Sequence, residues 1–264
     1  MSDRPDPNRT QDVVSLDALR REIDAADEEM HRQLIHRGEV IERLIAAKRL
    51  AANGGAAFRP DREASMMRRI AERHAGRLPL STVEHIWREI IGTFTQLQAP
   101  YRVLSARADD PRMRDLLRYY FGFSSPLVAV ASDRDAVDTV ARTGTDLAVI
   151  GLDDPLEERW WGGIDLSDAA PAAGAKVIAY LPFLPLSNGL DLPRALVVGP
   201  KNVDAPTDFH LYAVDAASAD SLGRVLGRSS NTALVASPKA PQDLATAGNT
   251  SRWLGSFAAP TYWT

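Results

Sequence analysis

The chain contains no cysteine. Disulfides, thiolate metal sites and cysteine nucleophiles are therefore excluded. No apolar run approaches the ~18 residues of a membrane-spanning helix, so none is expected. The opening stretch, Met1 to Asp12, is polar and lacks an apolar core. A secretory leader is not expected, and a cytoplasmic location is the default. A strong charge of one sign is also missing: 31 basic residues stand against 35 acidic, a net of −4. Such a chain has no global pull on nucleic acid or anionic membranes, and neither is expected as a partner. The chain shows no G-x-S-x-G elbow, no H-E-x-x-H and no phosphate loop. Lysine is scarce and occurs only as Lys48, Lys176, Lys201 and Lys239.

What is present is ordinary for globular protein. Hydrophobic residues make up 45% of the 264 and charged residues 25%. At roughly 150 residues per domain, the length suggests about two domains. Residues 1–14 are rich in Pro and Asp and read as a disordered tail. Apolar residues then recur at helical spacing: Leu16, Leu19, Ile23, Ala26 and Met30, continuing through Leu34, Val40, Leu44 and Ala47. The pattern predicts one helix to about Ala52, where Asn53-Gly54-Gly55 stops it. Roughly 36 residues at 1.5 Å make a rod of about 54 Å. Two short helices of the same chain cannot cover it, so an intertwined dimer is expected. A second helix opens at Arg59-Pro60-Asp61-Arg62-Glu63, with proline and acidic residues suited to a first turn, and ends near Ala75-Gly76. A third opens at Ser81-Thr82-Val83-Glu84, a capping-box signature. Val83, Trp87, Ile90, Ile91, Phe94 and Leu97 give it a broad apolar face.

Beyond Pro100 the pattern changes. Short β-rich runs span 126–131, 146–151, 176–181, 195–199, 209–214 and 232–236. Helical stretches near 113–120, 134–142 and 218–226 lie between some of them. This is an α/β or α+β pattern. The pair Trp160-Trp161 reads as core or interface.

Polar residues on the apolar seam of the first helix are the informative ones. Arg37 shares the phase of Leu16, Ile23, Met30 and Leu44. Lys48 lies eleven residues on, about 20° from the same face at ~100° per residue. It is also the only lysine among the first hundred residues, against 15 arginines. That choice favours a compact ammonium over a planar fork. Two inward cations on one stripe, with no carboxylate between them on it, ask for an anionic ligand. Arg20 lies about 100° away around the rod and suits a neighbouring subunit's pocket. Gln98 closes the third helix beside Phe94, Ile91 and Leu97, and a buried amide needs partners.

Residues 16–100 resemble the all-helical chorismate mutase family. The resemblance rests on Leu19-Arg20-Arg21-Glu22-Ile23-Asp24, then Arg37, Lys48, Arg59-Pro60-Asp61-Arg62-Glu63, Ile90-Ile91 and Leu97-Gln98, with order and spacing kept. It implies a three-helix unit, residues 15–108, that forms an intertwined all-α dimer. Residues 109–264 would then be an α/β accessory domain, giving an α + α/β fold overall. It also implies roles. Arg37 would hold one carboxylate of chorismate, and Arg20, donated across the dimer, the other. Lys48 and Gln98 would flank the ether oxygen. Glu63 would receive the substrate hydroxyl, with Arg62 beside it. The rearrangement of chorismate to prephenate needs no metal and no cofactor. Phe94 is a departure, since many relatives carry a small hydroxyl residue there. The stretch from Lys48 to Arg62 is another, and is longer than in the enterobacterial fusion type. Two alternatives stand beside this reading. One is an isochorismate pyruvate lyase of the same fold, and the other is a non-catalytic sensor of aromatic metabolites.

The second half resembles a degenerate prephenate dehydratase with its trailing ACT-like region. Asp146–Gly151 falls where that enzyme has a strand. Leu254–Phe257 resembles an ACT closing strand. Pro193-Arg194-Ala195 lies where its Thr-Arg-Phe motif is expected, but the Thr and Phe are absent. No dehydratase activity is therefore expected.

Overall fold

The computed structural model describes residues 15–50, 58–153, 160–164, 174–186, 189–245 and 251–263. The expected tail at 1–14 and the glycine-rich stretch at 53–57 lie outside them. By its internal contacts the chain divides into Met1–Gly54 and Gly55–Thr264.

The described residues of the first unit form one helix, α1, Leu16–Leu50. Its 35 residues make a rod of about 52 Å. The helix starts at Leu16 because Ser15 caps it, its Oγ accepting the N–H of Ala18 at 3.1 Å. Asp17 suits the positive end of the dipole, and Gly38 alone does not break the run. The seam expected from the spacing is present and open. Ile23 and Met30 are each 60% exposed, and Leu19, Leu34 and Leu44 are exposed with them.

In the second unit, two helices precede a sheet. α2 spans Pro60–Arg73, with proline in its first turn as the sequence suggests. α3 spans Leu80–Gln98. The capping box expected at Ser81 and Glu84 does not form. The Pro79 carbonyl takes the first helical bonds from Thr82 and Val83, and the helix has no side-chain cap. Ser81 and Glu84 then lie inside the helix and are buried.

Among the described residues nine strands follow: β1 Val103–Ser105, β2 Leu127–Ala129, β3 Leu147–Gly151, β4 Ala175–Leu181, β5 Ala195–Pro200, β6 Phe209–Asp215, β7 Arg224–Arg228, β8 Thr232–Ser237 and β9 Arg252–Phe257. They form one mixed sheet in the order β2-β1-β3-β5-β4-β9-β6-β8-β7. β3 and β5 are buried on both faces, which explains their unbroken apolar runs. Alternate residues serve two cores. Ala148, Ile150 and Val198 pack against α5, Asp133–Thr143, and against Trp160 and Trp161. The tryptophans are thus core residues. Leu147, Val149 and Val197 pack on the opposite face with α4, Pro111–Phe121, and with Met67 and Ile70 of α2.

The last four strands carry two short helices, α6 Ala219–Leu222 and α7 Pro241–Ala245, in βαββαβ order. Their sheet order, β9-β6-β8-β7, is that of a split βαβ module. β9 joins this module to the rest through a parallel pairing of Gly255 with Val177. A Cβ on Gly255 would lie 2.2 Å from the Val177 carbonyl oxygen, so the junction requires glycine.

The architecture is therefore helical followed by a mixed α/β sheet, as the residue patterns implied. Two expectations change. The helix expected at 218–226 shortens to α6, because Gly223 lies against the Ala236 carbonyl and the chain turns into β7. β1 is too short to stand out in sequence. By internal contacts α1 stands as one unit, while α2 and α3 group with the sheet and share its core.

The contact between α3 and α4 has a specific device. Gly92 lies on the buried side of α3, and a Cβ there would sit 2.6 Å from the Phe121 carbonyl oxygen. Gly92→Ala should destabilise the chain by about 1–3 kcal/mol through overpacking. Alanine's better helix propensity, worth about 1 kcal/mol, is too small to offset the upper part of that range. A lower urea midpoint at unchanged slope is the expected reading.

Candidate active site

Arg37 and Lys48 lie on α1 and both are half-buried. They are eleven residues apart, about 16 Å along the axis. Arg20, on the same helix, is exposed and pairs with Asp17 at 3.0 Å. The structure thus separates the two seam cations from the outlying arginine, as their phases require.

The other three predicted residues belong to the second unit. Arg62 is exposed on α2. Gln98 is half-buried at the end of α3, its amide nitrogen donating to the Phe94 carbonyl at 3.2 Å. That bond leaves the amide oxygen and one N–H for other partners. Glu63 is the residue whose surroundings the sequence did not foretell. Its side chain is 14% exposed, and its Oε2 accepts from Arg88 Nη1 at 2.9 Å.

Arg88 is buried on α3 and holds a second carboxylate. Its Nε and Nη2 donate to Glu84 Oε1 at 3.3 and 3.2 Å. Tyr119 of α4 donates its hydroxyl to the Ser81 carbonyl at 2.7 Å and lies 3.3 Å from Glu84 Oε2. The guanidinium carbon of Arg88 sits 5.1 Å over the Tyr120 ring. One signal for this cluster was legible: Glu84 and Arg88 are four residues apart on one helix face. The capping reading of Glu84 concealed it.

Burial sets the electrostatics here. Desolvation raises the Glu63 carboxyl above its usual range, and Arg88 works against that rise. Glu84 is raised for the same reason, again opposed by Arg88. Burial disfavours the charge on Arg88, but Glu84 and Glu63 together hold its pKa above the ordinary value. A cavity of about 40 Å³ touches Glu63, Arg88, Phe58, Tyr120 and Phe183. It has room for a few water molecules and none for an organic dicarboxylate. Among the described residues, no cluster of His, Asp and Glu could hold a metal ion.

Residues 19–99 match the chorismate mutase type II family. The match runs across α1, α2 and α3 and includes all six predicted site residues. The bifunctional chorismate mutase/prephenate dehydratase of Aquifex aeolicus (strain VF5) is 27% identical over 149 residues. That alignment covers 55% of this chain and 41% of the relative, so the chain spans about two fifths of the relative's length. Among solved structures, prephenate dehydratase from Streptococcus mutans aligns over 61% of this chain and 99% of its own, at TM-score 0.38 and 8% identity. GqqA, described as a novel type of quorum-quenching acylase, aligns over 61% and 96%, at TM-score 0.36 and 15% identity.

Proposed function

We propose that this chain is a chorismate mutase, converting chorismate to prephenate for phenylalanine and tyrosine synthesis. The observation that carries the proposal is the family match over 19–99, which contains Arg20, Arg37, Lys48, Arg62, Glu63 and Gln98 in order. The half-burial of Arg37 and Lys48 on one stripe supports it. The open apolar seam of α1 supports a homodimer, in which Arg20 of one protomer serves the site of the other. No helix among the described residues is long and apolar enough to cross a membrane, which agrees with a cytoplasmic setting.

The reaction is a unimolecular [3,3] rearrangement. It needs positioning and charge stabilisation, with no nucleophile or cofactor. Arg37 and Arg20 clamp the two carboxylates and hold the compact diaxial conformer. Glu63 accepts the hydroxyl, with Arg62 beside it. As the C–O bond breaks, negative charge grows on the ether oxygen. Lys48 and Gln98 donate to that oxygen more strongly in the transition state than in the ground state. The direct test is chorismate disappearance with product analysis. Prephenate from chorismate supports the proposal; salicylate with pyruvate from isochorismate, offered as a second substrate, would assign the lyase instead, and binding without turnover of either a sensor.

Gln98 does not titrate, so its role predicts a pH signature. Gln98→Glu should be active mainly at acidic pH, where the new carboxyl is protonated and can donate. Undiminished turnover of that variant at about pH 8 would exclude a donor role.

The sheet is proposed to be an accessory domain without dehydratase activity. Arg194 stands in the expected motif position, but Thr and Phe do not flank it, and its Nε is tied to Asp153 Oδ1 at 2.8 Å.

A further inference from the structure

We infer that Arg88 is a positioning residue for Glu63, fixing one carboxylate oxygen and leaving the other for the substrate hydroxyl. The inference rests on the mutase reading of Glu63. Arg88 takes Oε2 at 2.9 Å. Oε1 has no hydrogen-bond partner among the described residues. The guanidinium itself cannot rotate freely. Its other two nitrogens are fixed on Glu84, and its face lies on Tyr120. Tyr120 is fixed in turn, because its hydroxyl accepts the N–H of Phe183 at 2.9 Å. A rigid chain of contacts therefore runs from the loop after β4, through α4 and α3, to the carboxylate on α2.

Packing alone does not account for this arrangement. One arginine is shared by two buried carboxylates, whose desolvation opposes their ionisation. Apolar residues of similar size would serve stability equally well or better. One carboxylate would suffice to neutralise the arginine. The second, Glu63, keeps one oxygen without a hydrogen bond among the described residues. Arg88 opposes the desolvation that favours the neutral acid at Glu63.

The titratable groups around Glu63 come from every neighbouring element. Asp61 lies on its own helix. Glu84 and His85 lie beside Arg88 on α3. Tyr119 and Tyr120 come from α4, Tyr101 from the approach to β1 and Tyr180 from β4. Only Arg88 and Glu84 are changed in the test: Arg88 lowers the Glu63 carboxyl directly, and Glu84 competes for the same guanidinium.

The test is the pH profile of kcat/KM for the full-length chain with chorismate, in wild type, Arg88→Met, Arg88→Lys and Glu84→Gln. Arg88→Met should move the acid limb to higher pH. Its activity at about pH 6 should fall about tenfold or more relative to wild type, the worth of one hydrogen bond to a charged group. Glu84→Gln preserves shape while removing the competing charge, so it should move the limb to lower pH. Arg88→Lys should recover part of the loss. Opposite displacements support the inference, since a merely structural arginine would not produce them. Folded variants whose limb stays at the wild-type position, or moves in one direction for both, overturn it while leaving the mutase reading intact. A wild type with no turnover removes the mutase reading, and this role falls with it.

Discussion

Lys48→Ala should lower kcat for chorismate by about 10²–10³, the cost of removing one donor to a developing oxyanion. The fall should appear equally in kcat and kcat/KM, because the bond is made in the transition state and hardly in the ground state. Stability should change little. Lys48 sits in a long helix where alanine is the best helix former, and it is only half-buried. Lys48→Arg should not rescue the rate, because a planar fork cannot replace a compact ammonium at a single oxygen. Arg37→Ala should behave differently. In the proposed mechanism it holds a carboxylate in ground and transition states alike, so KM should rise along with any loss in kcat. Unchanged turnover for Lys48→Ala, with a folded protein and a competent wild type, would falsify the assignment of the ether-oxygen donor.

The helices were legible because their periodicity is long and uninterrupted. α1 ends its described span at Leu50 after a seam of nine apolar positions predicted from spacing alone, and α2 begins at the expected proline. The central strands were legible for the same reason: β3 and β5 are buried on both faces and leave solid apolar runs. β7 was hidden by its polar ends and by the glycine that stops α6. The site was legible only in part. Spacing put Arg37 and Lys48 on one stripe, and the structure gives both the same partial burial. The surroundings of Glu63 were not legible, because they depend on which side of α3 meets α4. The apolar side, with Trp87, Ile90 and Phe94, looked like the buried one, yet those residues are only partly covered. The fully buried side is Ser81, Glu84, Arg88, Gly92 and Thr95. Close approach at Gly92 and mutual pairing of the charged residues make that polar side bury well. Neither condition shows in hydrophobic periodicity. Gly92 meets Phe121, and Arg88 meets Glu63, only through the tertiary fold.

Arg88→Met should destabilise the protein by about 3–5 kcal/mol near neutral pH, because it leaves two buried carboxylates without their counter-charge. The side chains concerned are 14%, 0% and 8% exposed for Glu63, Glu84 and Arg88, so water does little to compensate. The size of the loss should depend on pH, and its sign follows from proton linkage. Glu63 and Glu84 are already raised above their unfolded value of 4.5 by burial. A raised carboxyl favours the folded state below the unfolded pKa, and that advantage disappears as pH climbs through the folded value. Without Arg88 both folded values rise further. The variant should therefore approach wild-type stability at about pH 4 and fall away from it as pH increases. Asp146 runs the other way. Burial tends to raise it, but its bonds to Arg102 hold it below its ordinary value, so its contribution is present at higher pH and lost on acidification. That ion pair is the same in both proteins and shares no hydrogen bond with Arg88, so it cancels when variant and wild type are compared at each pH. Urea midpoints at about pH 4, 6 and 8 give the curve. A gap between the two proteins that stays constant over this range would mean that Arg88 acts through packing alone, with the two carboxylates neutral throughout.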